Sequence, residues 1–86
     1  MRIVVVFKEQ SEYGREAIEW IDEFEKRTSK EVEQMDPETV EGEGFCQARD
    51  IVRYPAVVVC GEDGRVVEQW MGSPMPVIDD VMAFMI

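Results

Sequence analysis

The stretch from Tyr54 to Gly72 constrains the chain most. In Tyr54-Pro55-Ala56-Val57-Val58-Val59-Cys60 a proline opens an unbroken apolar, largely β-branched run. A strand that does not alternate polar with apolar residues is covered on both faces, so Ala56 to Cys60 reads as a central strand. Gly61-Glu62-Asp63-Gly64 then sends the chain back, with Asp63-Gly64 in the dipeptide form that hairpins favour. The return run, Arg65 to Gly72, carries Val66, Val67 and Trp70 as its apolar positions, and Gly72 closes it.

The rest of the chain supplies elements that a hairpin of this kind can join. Ile3 to Phe7 is apolar throughout and reads as a second strand buried on both faces. Ser11 is a suitable N-cap for a helix over about 12–28. In that helix Tyr13, Ala17, Trp20, Ile21 and Phe24 recur at helical spacing, with Ile18 at the edge of the stripe. Asp22 to Lys26 and Glu23 to Arg27 are favourable i,i+4 pairs. Glu31 to Met35 reads as an edge strand, where acidic side chains discourage pairing with other molecules. Asp36-Pro37 opens a loop through Gly42-Glu43-Gly44, followed by a short helix at roughly Phe45 to Asp50. Ser73-Pro74-Met75-Pro76 leads into a last helix with Pro76 at its first position. Val77, Ile78, Val81, Met82 and Met85 form the buried face of that helix, and Ile86 ends the chain in a turn that packs or frays.

With 86 residues there is room for one domain, 1–86, with one core. A domain of this size buries only about 60–65% of the surface its unfolded chain exposes. The 45% hydrophobic content argues against disorder, although 33% of residues are charged. The formal net charge is −10, from 19 acidic and 9 basic residues. Such a field repels phosphate, which argues against nucleic acid and anionic membranes as partners. No apolar run is long enough to span a bilayer, and Met1 to Phe7 reads as a strand and not as a signal peptide. Cys46 and Cys60 lack CxxC spacing and fit free thiols in a reducing cytoplasm. With no His and two Cys, a structural zinc site of the usual kind is not expected.

Strand, helix, strand, short helix, strand, strand, helix, with the last two strands as a hairpin, resembles the thioredoxin fold in its minimal, glutaredoxin-sized form. The most specific part runs from Phe45 to Gly72. There Ile51 precedes Tyr54-Pro55, and Val57-Val58-Val59, the Asp63-Gly64 turn and Gly72 follow at the family's spacing. The resemblance implies an α/β fold of order β-α-β-α-β-β-α, with a four-stranded mixed sheet flanked by helices. It also implies a cis bond between Tyr54 and Pro55, with the Tyr54 backbone facing a cleft that pairs with an extended peptide or with glutathione. The chain departs from the family at the turn after the first strand. Where the family places CxxC or a single Cys, this chain has Gln10-Ser11-Glu12-Tyr13-Gly14-Arg15. Neither Ser11 nor Glu12 can form a disulfide, and a serine with no nearby base is a poor nucleophile.

The cleft implied by the resemblance comprises Ser11, Glu12, Tyr13 and Arg15, then Tyr54 and Pro55, then Met71, Gly72 and Ser73. Each has a plainer role to weigh against it. Ser11 suits an N-cap, Tyr13 suits core packing, and Arg15 pairs with Glu12 or faces solvent. Tyr54, Met71, Met75 and Trp70 would make an apolar interaction rim if exposed together, although Trp70 also suits packing in the sheet. Cys46 and Cys60 read as core fillers, with a disulfide disfavoured by their expected separation. The acidic run from Glu38 to Glu43 reads as a solvated loop and not as a cation site. The reading favours a redox-inactive module that binds an unidentified protein or peptide, as a monomer or weak homodimer without cofactor. The alternative is a thiol- or glutathione-linked oxidoreductase using Cys46 or Cys60.

Overall fold

The structure is a computed structural model that describes residues 1–85, so the expectation for Ile86 lies outside the described residues. Its elements are β1 (Arg2–Val6), α1 (Gly14–Thr28), β2 (Glu33–Met35), α2 (Val40–Ala48), β3 (Ala56–Cys60), β4 (Val66–Met71) and α3 (Ile78–Met82). The sheet order is β2-β1-β3-β4, with β2 parallel to β1 and the other neighbours antiparallel. This is the α/β order and the four-stranded mixed sheet that the sequence implies. In the hairpin, the Gly64 N–H donates to the Gly61 carbonyl at 3.0 Å, and Gly64 takes a φ of 87°. A register shift at Val59/Cys60 takes up the extra residue of β4.

Side chains alternate along a strand, so the valine runs of β1 and β3 feed two cores. Ile3, Val5, Phe7, Val57 and Val59 meet Ala17, Ile21 and Phe24 of α1, together with Ile78, Val81 and Met85. Val4, Val6, Ala56, Val58 and Cys60 meet Cys46 of α2 and Ile51. On the first face Trp20 stacks on Phe24 with ring centroids 5.2 Å apart, and the Trp20 indole N–H donates to the Pro76 carbonyl at 2.7 Å.

Several local expectations need correction. Ser11 does not cap α1: Tyr13 occupies the cap position without a side-chain hydrogen bond, and the Ser11 hydroxyl donates to the Lys8 carbonyl. The helix starts at Gly14 because the turn before it packs tightly, and a Cβ at Gly14 would run into the Glu9 carbonyl. Arg15 pairs with Glu19 instead of Glu12. Arg27 leaves Glu23 for Asp79 and ties α1 to α3 at 3.1 Å, whereas the Asp22–Lys26 pair forms.

The loop expected through Gly44 is largely helical. Thr39 Oγ1 accepts from the Gly42 N–H at 2.9 Å and donates to the Asp36 carbonyl at 2.8 Å, which starts α2 at Val40. Gly42 is buried because the Asp36 carbonyl occupies the place of a Cβ, so this glycine serves close packing and not helix breaking. β2 is shorter than expected, and Val32 before it joins the core. α3 begins at Ile78. Pro76 precedes it, and Val77 is its exposed cap residue, not part of the buried face.

Candidate functional site

The register brings one end of all four strands into a row. Val6 lies beside Met35 and Ala56, and Ala56 lies beside Met71. The segments that follow β1, β2 and β4 and the one that precedes β3 therefore gather at the same end of the sheet. This end holds Ser11–Arg15, Pro37, Tyr54–Pro55 and Gly72–Ser73. The Gly72 N–H donates to the Pro55 carbonyl at 2.9 Å, which continues the β3–β4 ladder by one pair. The Tyr54–Pro55 and Ser73–Pro74 bonds are both cis. Gly72 has a φ of 86°, and the Arg53 guanidinium lies over it, 3.8 Å from where a Cβ would sit.

Not every candidate side chain points into one cleft. Ser11 is committed to the Lys8 carbonyl, and the exposed Arg15 to Glu19. The Ser73 hydroxyl donates to Glu16, whose second carboxylate oxygen accepts from the Met75 N–H. Glu16 thus ties the first turn of α1 to the β4–α3 loop. Glu12 is exposed. Trp70 and Met75 pack on the α1/α3 face, whereas Tyr54 and Met71 pack on the α2 face. The apolar rim of four residues is therefore split by strand alternation, which sends neighbours Trp70 and Met71 to opposite sides.

On the α2 face the surface opens into a groove of about 440 Å³, lined by Pro37, Glu43, Cys46, Gln47, Asp50, Ile51, Val52 and Tyr54. Glu43, Cys46, Gln47 and Asp50 share one face of α2 and its exit at i, i+3, i+4 and i+7. Asp50 adopts a left-handed φ of 54°, which lets the chain turn from the helix to Ile51. Ile51 is buried in the floor while Val52 is 74% exposed. Across the neighbouring loops, Lys8 pairs with Glu38 at 3.0 Å, joining the segment after β1 to the one after β2.

Tyr54 links this groove to the α1 side. Burial pushes its phenol above the ordinary range, and Cys46 and, from the segment before α1, Tyr13 add to the shift. Burial likewise pushes the Cys46 thiol up, only partly offset by the Tyr54 hydroxyl and the Arg49 guanidinium. Cys46 is 4% exposed and Cys60 fully buried, and both are free thiols. Among the described residues, the Tyr54 backbone N–H and C=O have no hydrogen-bond partner.

The groove-lining residues Pro37, Glu43, Gln47, Asp50, Ile51 and Val52 were not among the sequence candidates, nor were Arg53 and Glu16. The α2 stripe would have been visible had the helix been read from the Thr39 cap. The positions of Arg53 and Glu16 depend on tertiary contacts with no local signal.

No family model matches the sequence, and no curated protein matches it. Among solved structures, the chain is similar to thioredoxin 1 from the thermophilic eubacterium Thermosipho africanus TCF52B. The two are 13% identical with a TM-score of 0.69, over 99% of this chain and 90% of that one. At that identity the likeness is one of backbone, and it shows that the chain has a thioredoxin-like fold.

Proposed function

We propose that the chain is a redox-inactive binding module that takes an extended peptide or protein segment along the groove beside Tyr54. The observation that carries this reading is the unpaired Tyr54 backbone, in a residue that lines an open groove. An extended chain laid beside Tyr54 satisfies both groups by strand addition, and the groove then receives alternate side chains. By the resemblance, Ser11 or Glu12 falls where a redox thioredoxin carries its first cysteine, and neither can take part in thiol–disulfide exchange.

The competing thiol-dependent reading needs an accessible, low-pKa thiol. The burial of Cys46 and Cys60, and the upward push on Cys46, argue against it. Two free buried thiols suit a reducing compartment such as the cytoplasm. Among the described residues no helix is long and apolar enough to cross a membrane.

Selection of extended peptides from a display library on the wild-type protein, followed by affinity measurement on Tyr54→Ala, tests the reading. Loss of a contact at a buried hot spot weakens binding by about tenfold or more. That loss is expected here with the cooperative thermal transition retained. Equal affinity for the folded variant would remove the groove from consideration.

A further inference from the structure

The charges around the groove are segregated in a way that selects its occupant. Segment 49–54 contains Arg49, Asp50 and Arg53, so acid and base alternate in sequence. In space they separate. The Arg49 guanidinium lies 3.9 Å over the Phe45 ring centroid and donates to the Phe45 and Gly64 carbonyls. Arg53 lies over Gly72. Neither arginine lines the groove, whereas Asp50 does, together with Glu43 from α2. Among the described residues, Glu43 and Asp50 form no salt bridge, and no basic residue lines the groove. The apolar part of the lining comes from the buried Ile51 and Cys46 and from the exposed Val52.

Resting on the peptide-binding reading above, the geometry points to an occupant of one chemistry: an extended segment that sets a Lys or Arg side chain against Glu43 and Asp50, with small apolar residues over Ile51 and Val52. A cation there meets unpaired carboxylates instead of displacing an existing partner. A carboxylate on the ligand meets like charge, which disfavours acidic peptides and glutathione. The net charge of −10 steers basic segments toward the molecule as a whole, and the groove supplies the register.

Fluorescence polarisation with a matched peptide series tests this. The probes are fluorescein-labelled extended peptides with a central Lys flanked by Val and Thr, and the same peptide with Gln or Glu in place of the Lys. They are titrated into the wild type, into Glu43→Gln, into the Glu43→Gln/Asp50→Asn double variant and into Tyr54→Ala. Asn tolerates the left-handed backbone at position 50, so the double variant keeps the turn. The expected order is Lys above Gln above Glu. Each carboxylate removed should weaken the Lys peptide by about threefold, an effect of exposed charge pairs that fades as salt is raised. If all three peptides bind equally and lose affinity together in Tyr54→Ala, charge selection is overturned while the peptide-binding reading stands. If none binds saturably, both are overturned.

Discussion

The two faces of the sheet are built from the same strands and covered differently. On one side α1 and α3 lay Phe24, Ile21, Val81 and Met85 over Ile3, Val5, Val57 and Val59. On the other, a nine-residue helix containing Gly42 and Gly44 offers Cys46, and the loop after it offers Ile51, to Val4, Val6, Val58 and Cys60. Strand alternation gives both faces comparable valine surfaces, so the difference lies in the cover. The thick side sets stability. The thin side leaves room for a groove and exposes Val40 to 93% and Val52 to 74%. The candidate groove lies on the thinly covered side, where it is lined by residues of the short α2 and of the loop that follows it.

The sharpest way to break this contrast is to make one change on both faces. Ile21 and Ile51 are each 3% exposed, one on the buried face of α1 and the other lining the groove. Ile21→Ala should cost about 4 kcal/mol in urea unfolding, because a close-packed layer cannot collapse around the cavity. Ile51→Ala should cost about 2 kcal/mol, since the groove edge can relax or admit water. Equal costs would mean that the two faces are packed alike.

The cover on the thin side depends on one cap. Replacing the hydroxyl with Thr39→Ala should cost about 1 kcal/mol and speed amide exchange in Val40–Ala48 while leaving α1 protected. Uniform loss of protection would contradict a separable α2.

Thiol chemistry sharpens the contrast further. In the native protein Cys46 and Cys60 should react slowly with iodoacetamide at neutral pH and rapidly after unfolding. Fast native alkylation of Cys46 would revive the thiol-dependent reading. Because its raised pKa favours the neutral thiol in the fold, the stability tied to Cys46 is present below its ordinary value of 9.0 and lost as pH rises above it.

The smallest expected effect is at the edge strand. Arg2 holds Glu33 through two 2.8 Å hydrogen bonds and keeps its carboxyl below the ordinary value of 4.5. This contribution is present above pH 4.5 and is lost as pH falls through the lowered value. Both side chains are about half exposed, so Arg2→Ala should cost under about 1 kcal/mol at pH 7 and less still in acid. A cost that stays unchanged as the pH is lowered through the Glu33 titration would assign it to packing instead.

The parts of the fold legible in the sequence are those that local composition dictates. The runs Ile3–Phe7 and Ala56–Cys60 cannot be half-buried strands, and Asp63-Gly64 carries its own turn signal. The α1 stripe was also readable, but the start of α1 was not. Ser11 looks like a cap in isolation, yet the packing of Gly14 against Glu9 moves the start of the helix past it. Gly42 reads as a breaker until the Asp36 carbonyl is placed against it. The groove inherits that blindness, because its lining stripe exists only if α2 begins at Val40. Tyr54 is legible as the residue before the proline, but its place in the lining of the α2-face groove is not.

The most direct test of the account is an amide chemical-shift map of the protein titrated with a peptide selected for binding. The account predicts large changes at Tyr54, at Ile51 and Val52, and along Glu43–Gln47, with slowed exchange of the Tyr54 N–H and little change at Ala17, Ile21 or Val81. Shifts concentrated on the α1/α3 face, with the Tyr54 amide unaffected, would contradict it.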